Sequence, residues 1–417
     1  MDPNLGEWLN LIVRWTHVIT GIAWIGTSFF FNWLDSRLTP TETERPGVEG
    51  ELWLVHSGGF YHVEKRQLAP HELPRRLHWF VWEATFTWLS GILLLAIVYY
   101  LGADVYLLDR GVSDIGAGAA IVLGLATLAA SWVVYDLVWR APPAARNPAL
   151  AAVLCFALLV AVAYGLSQVI GGRAAYIHVG ALLGTLMAAN VWVHIIPAQR
   201  EMVAATKQGR EADPGLGRHA KRRSLHNNYM TLPVVFIMVS NHYAGTYGHA
   251  LNWLVLALIA LAGAGVRHYF NKRHNGEATA IGWLAAAAGV MVAAFLVAGP
   301  PERARQAANA AAGDAVSFAA VRAVVERRCL SCHSATPADK NFAEPPAAVA
   351  FDTPEQIANL VERIFARVVV TRTMPLANKT GMTDEERDLV ARWIVQGARR
   401  DDRTGSRGND ETSGRND

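Results

Sequence analysis

The chain has 417 residues, 52% of them hydrophobic, with a positive mean hydropathy, which is more apolar material than one soluble core would use. A formal charge of +3 is too small to point to nucleic acid as a partner. Three cysteines, of which Cys155 lies in an apolar run as a packed thiol, exclude a disulfide framework.

A membrane-spanning helix needs about 20 mostly apolar residues. Eight such runs are read, at 9–34, 79–101, 115–139, 149–171, 175–198, 229–246, 250–270 and 278–298, and they predict an all-α fold whose residues 1–298 form an eight-helix transmembrane bundle. The first run is too long, and lacks the basic start, of a cleavable leader. The sixth is the shortest and carries Pro233, Asn241 and His242. Between the first two runs lies a loop of about 35–78, in which Leu52 to Glu64 alternates around Gly58-Gly59 and predicts a β-hairpin. It serves as a loop brace or as a lid over a site.

Lys and Arg set the orientation. The loops at 35–78, 140–148, 199–228 and 271–277 hold seventeen Lys and Arg, against Arg110 and Arg173 in the short loops of the opposite side. By the positive-inside bias the first set faces the cytoplasm, and both chain ends lie outside it.

Residues 299–312, rich in Pro and Ala, read as a linker, and the stretch 401–417 as a disordered tail. Between them stands Cys329-Leu330-Ser331-Cys332-His333. This C-x-x-C-H spacing attaches a c-type haem, with thioethers from both thiols and an adjacent imidazole placed to bind iron. A redox dithiol or half of a zinc site is the competing reading. A short helix with Phe318, Val321, Val324 and Val325 on one side leads into the motif. A capping box at Thr383 and Glu386 opens a last helix through Ala398. Met374, in the loop before that helix, is the first choice for the sixth iron ligand; Met382 competes but sits where it could pack. Residues 313–400 resemble a class I cytochrome c domain. One covalent haem c makes the chain an electron-handling membrane protein.

The membrane runs are also unusually polar. Ionisable groups at bilayer depth are costly and are kept for a task or a partner. His17, His178, His242 and His249 fall toward the side of the haem motif, and His78, Glu83, Asp136, His194 and His268 toward the cytoplasmic side. Such imidazoles could ligate a b-type haem, act as acid and base, or be hydrogen-bonded structural groups, and His249 could be merely interfacial.

Several strings resemble a known family. Trp15-Thr16-His17, Gly21-Ile22-Ala23-Trp24-Ile25-Gly26, His56-Ser57-Gly58-Gly59-Phe60-Tyr61, Trp82-Glu83-Ala84, Asn190-Val191-Trp192 with His194, Asn227-Asn228-Tyr229 and Ser240-Asn241-His242-Tyr243 are similar to those of bacterial membrane-bound, cytochrome c-linked urate oxidases. The resemblance covers both the helical region and the haem domain. It implies oxidation of urate to 5-hydroxyisourate in purine breakdown, with water as the oxygen source and electrons leaving through the haem to a cytochrome or terminal oxidase in a bacterial inner membrane.

Acid and base candidates are then His17, His78, Glu83, His194 and His242, with Asn190 and Asn241 for amide recognition of the purine edges. Arg14 or Arg267 could pair with the anionic substrate. Urate gives up two electrons and one haem c takes one at a time. Either a urate radical is held between transfers, or a second redox centre such as haem b sits in the bundle. The alternative function is an electron-transfer subunit, taking electrons from quinol or haem b to the cytochrome, without a substrate of its own. A transporter fused to a cytochrome has only the polar helices in its favour.

Overall fold

The computed structural model describes residues 3–41, 45–274, 280–299 and 314–400. The expected linker from residue 300 onward and the expected tail after residue 400 lie outside the described residues. The chain divides into two compact units, one of Leu5–Leu108 with Val112–Ala298, the other built on Gly299–Asp417.

The first unit is helical: α1 (Pro3–Arg37), α2 (Trp82–Tyr100), α3 (Ala117–Arg140), α4 (Pro148–Ser167), α5 (Gly172–Lys207), α6 (Pro214–Ser240), α7 (Asn252–His274) and α8 (Ile281–Val297). Each expected apolar run overlaps one of these helices, although α4 ends at Ser167, short of the expected 171, and α6 at Ser240, short of the expected 246. Five of them, α2, α3, α4, α5 and α7, are long and apolar enough to cross a membrane, and α8 is a shorter apolar helix. Their outer faces show why lipid suits them: Val122, Leu125, Val133 and Leu137 of α3 are all exposed. In water such a surface would be an aggregation site.

Two helices run well beyond the expected bounds. α6 begins fifteen residues before the run at 229, because Asp213 caps it by accepting from Gly215 N and Pro214 supplies a preset first helical residue. The basic stretch from Arg218 to Arg223 is therefore helical rather than loop. α5 likewise runs on to Lys207.

α5 lies at the centre of this unit, with Ala174, Tyr176, His178, Val179, Leu182, Leu183 and Leu186 buried against α3, α4 and α6. It is tied to α2 by Trp192 Nε1 donating to Thr85 Oγ1 at 2.9 Å and Trp88 Nε1 donating to Thr185 Oγ1 at 3.1 Å. Among the described residues of this unit, two helices contain π-helical turns, Leu95–Tyr100 in α2 and Asn190–Ile195 in α5. An extra residue in a turn re-aims the side chains around it and is common at functional sites.

Between α1 and α2, β1 (Val48–His56) pairs antiparallel with β2 (Gly59–Arg66). The turn is Ser57-Gly58, both at positive φ, the backbone a two-residue hairpin requires. Lys65 Nζ reaches Asp35 Oδ1 at 2.6 Å and ties the hairpin to the end of α1.

The second unit contains α9 (Phe318–Arg328) and α10 (Asp384–Val395). Ser317 caps α9 and Thr383 with Glu386 forms a capping box on α10, which ends three residues before Ala398 because Gly397 and Ala398 take positive φ. Phe318, Val321, Val324 and Val325 of α9 pack against Val390 and Trp393 of α10, with Ile357, Ile364, Val368 and Met382. Buried Arg387 donates to Val368 O and Met374 O, each at 2.7 Å, and so pins the Met374 loop.

Candidate functional site

In the helical unit, α1, the segment before α2, α5 and α6 enclose a cavity of about 370 Å³. That is the size of a small-molecule site (about 300–1,000 Å³). Trp24, Phe31, Trp79 and Phe80 give it aromatic walls, and Asn32, His78, Gln199, Ser224, Asn227 and Thr231 give it polar groups. His78 is the one titratable residue among the described residues lining it.

Behind the wall formed by α5 and α6 lies a buried polar network. Asn190 and His194 of the α5 π turn face α3 and α6, while Val191 and Ile195, each one residue further along, line the cavity. Asp136 Oδ1 lies 2.7 Å from both His194 Nε2 and Arg223 Nη2, and its Oδ2 lies 2.7 Å from Arg140 Nε. His194 Nδ1 lies 3.2 Å from His219 Nε2, whose own Nδ1 lies 3.3 Å from Arg222 Nη2. One proton arrangement satisfies the whole chain: Arg222 donates to His219, His219 to His194, and His194 to Asp136. Each imidazole is then neutral.

A second branch runs through Asn190, which has no exposed surface. Its Nδ2 donates to Tyr135 OH at 3.0 Å and to Asn227 Oδ1 at 2.9 Å, and Tyr135 in turn meets His226 Nδ1 at 2.7 Å. Arg140 and Arg223 pair with the single carboxylate Asp136 and Arg222 joins the network through His219, so the cluster is net positive, which favours an anion nearby.

The sequence-derived site residues are thus divided by the structure. His78 lines the cavity; Asn190 and His194 stand directly behind its wall. His17 lies between α1 and α2, with Nδ1 at 2.9 Å from Thr87 O and 3.1 Å from Ser90 Oγ, its ring seated against Gly91. Glu83 is in the first turn of α2, with Oε2 buried and without a hydrogen-bond partner. Asn241 follows the C-terminal end of α6, where its Oδ1 accepts from Arg173 Nε at 2.9 Å, and His242 beside it is exposed. Arg14 is exposed and bonded to Asn10, whereas Arg267 is buried, donating to Asn228 Oδ1 at 3.1 Å and lying 4.1 Å from the centre of the Phe29 ring.

His178, a haem b ligand candidate by depth alone, is fully buried with both ring nitrogens engaged: Nδ1 donates to Ala174 O at 2.8 Å and Nε2 accepts from Tyr100 OH at 3.3 Å. Any side chain at Gly124 would clash with that ring. His249 Nδ1 accepts from Leu251 N in a local turn. Asp136, Arg223, His219, Tyr135 and Asn227 were not singled out as one group by sequence reasoning. Tyr135 and Asp136 stand out only as polar residues in an apolar run, His219 and Arg223 lie in a basic stretch expected to be loop, and Asn227 stands in a family-like string. On the hairpin, Glu51, His62 and Glu64 come close together, but Arg45 bridges both carboxylates and uses the cluster as an ion-pair network.

In the second unit, Cys329 follows α9 directly, and Cys329 and Cys332 are both free thiols. Burial pushes the Cys329 thiol up to about 12, the opposite of what a reactive dithiol needs. His333 Nδ1 donates to Val349 O at 2.8 Å, which fixes the tautomer and leaves Nε2 as the electron-pair donor. That donor set fits a c-type haem. Met374 is partly buried at the edge of the core and held through its backbone by Arg387; Met382 is 4% exposed within the core.

Among comparisons with known proteins, the family model described as urate oxidase N-terminal matches residues 3–298. No curated protein and no solved structure matches the chain.

Proposed function

Because the chain belongs to the urate oxidase N-terminal family, we propose that it oxidises urate to 5-hydroxyisourate within its helical unit and delivers the electrons to a haem c on its C-terminal unit. Family membership supports an oxidoreductase acting on urate, and five apolar helices support a membrane protein. The observation that carries the electron outlet is His333, with Nδ1 committed to Val349 O beside two free thiols. Cys329 and Cys332 would hold the haem, His333 would ligate its iron, and Met374 is the assigned sixth ligand. When bound, such a group supplies a one-electron acceptor whose potential a Met ligand raises.

The urate monoanion and one water give 5-hydroxyisourate, one proton and two electrons. The new C5–O bond comes from water, and a base has to take the proton. His78 is assigned that role because it is the titratable group of the cavity lining. The aromatic walls of Trp24 and Trp79 would stack on the planar ring and hold it while the two electrons leave one at a time. The Lys and Arg bias supports a C-terminal unit facing the periplasm of a bacterial inner membrane. There a cytochrome or terminal oxidase takes the electrons.

Turnover without oxygen tests this reading. Purified protein in ¹⁸O-labelled water, given urate and a soluble one-electron acceptor, is expected to form labelled product and to reduce two acceptors per urate. Unlabelled product, or an absolute need for oxygen with release of peroxide, would overturn it.

A further inference from the structure

The orientation of one amide in the cavity wall is fixed by its neighbours, and that orientation has a ligand preference. Asn227 Nδ2 lies 3.0 Å from Met187 O, a carbonyl that can only accept, so the nitrogen is assigned without ambiguity. Asn227 Oδ1 therefore faces Asn190, and Asn190 must present its Nδ2, at 2.9 Å. The far end of the chain agrees, since Arg223 can only donate and its Nη1 lies 3.5 Å from Asn190 Oδ1. Arg223 has no exposed surface and is anchored on Asp136.

Asn227 itself is 6% exposed and lines the cavity. A carboxamide has two N–H donors and two acceptor lone pairs. The network uses one of each: one N–H goes to Met187 and one lone pair to Asn190. One donor and one acceptor remain, with no group of the described network to take them. A donor and an acceptor on one amide can pair with an edge on which a ring N–H adjoins a C=O, the lactam or ureide edge.

We infer that Asn227 is the specificity-determining residue of the cavity, reading a lactam edge of a planar heterocycle, and that Asn190 and Arg223 are positioning residues that hold its amide in the correct orientation. The inference rests on the proposed urate reaction and names the edge chemistry by which that site selects its substrate. It also relocates amide recognition from Asn190, which is sealed behind the wall, to the residue it orients. No bond is made or broken by these groups.

The test is a binding measurement on the full-length protein reduced with dithionite, which cannot accept electrons and so holds urate without turnover. Equilibrium dialysis is run with radiolabelled urate, and the four N-monomethyl urates compete. A methyl on the nitrogen facing Asn227 removes a hydrogen bond and adds bulk, so one isomer is expected to bind at least about tenfold more weakly than urate. All four binding within about twofold of urate would overturn the inference from the wild type alone, with no variant needed. In Asn227→Ala the discrimination against that isomer is expected to collapse, and in Asn190→Ala to shrink while Arg223→Lys keeps most of it. A purely structural role would weaken all ligands together and leave the ratio intact, and that result would also overturn it. Failure of the underlying reading is distinct: the wild type then neither binds nor oxidises urate.

Discussion

Arg223, with no exposed surface, donates to Asp136 at 2.7 Å from a helix 87 residues away in sequence. A buried pair of this kind adds little net stability over an apolar pair, but removing one partner strands the other. Asp136→Asn is expected to cost about 3–5 kcal/mol, because it leaves Arg223 and Arg140 without their carboxylate. Thermal unfolding in detergent checks this, and a shift no larger than that of a surface Asp→Asn change would contradict it.

His78 carries the proton transfer in this account. His78→Gln keeps polarity and approximate size, so it should lower kcat by about 10²–10⁴ with a much smaller change in KM. Steady-state kinetics decide the matter. An unchanged kcat would move the base role to another group.

The two methionines near the haem motif make opposite predictions. Met374→Ala is expected to lower the midpoint potential and alter the haem spectrum, since Met ligation raises potential. Met382→Leu is a volume-conserving change in a packed core and should cost less than about 1.5 kcal/mol with the spectrum intact. Redox titration of both variants separates ligand from packing, and the reverse pattern would exchange their roles.

The hairpin offers a pH test. Its Lys65 hydrogen-bonds Asp35, which holds that carboxyl below its ordinary value of 3.8. A depressed carboxyl stabilises above its unfolded value and loses that contribution as pH falls through the folded one. The hairpin anchor should therefore be whole at neutral pH and loosen only below about 3.8. Asp35→Asn should loosen it at every pH, by no more than about 1 kcal/mol because the pair is exposed. Proteolysis of the hairpin read against pH would show it; loosening near neutrality in the wild type would not fit.

Much of the helical frame was legible because apolar length is written directly in the residues. Helix starts were less so: Asp213-Pro214 is a start signal, but the basic residues from Arg218 onward read as loop until packing buries Arg223. The capping box at Thr383 and the existence of the hairpin were readable because both rest on local chemistry, although the turn falls at Ser57-Gly58, one residue before the expected Gly58-Gly59. The polar network was not. Asp136, Asn190 and Arg223 come from three helices, and a π turn carries Asn190 and His194, so no periodicity in one segment could pair them. Asn227 stood in a characteristic string, yet its role depends on what Met187 O and Asn190 leave unsatisfied, which only the fold determines.

The most direct measurement adds urate to the purified, fully oxidised protein under anaerobic conditions and follows the haem absorbance. The account predicts reduction of the c-type haem, with two protein molecules reduced per urate consumed. An intact haem that stays oxidised in the presence of excess urate would contradict it.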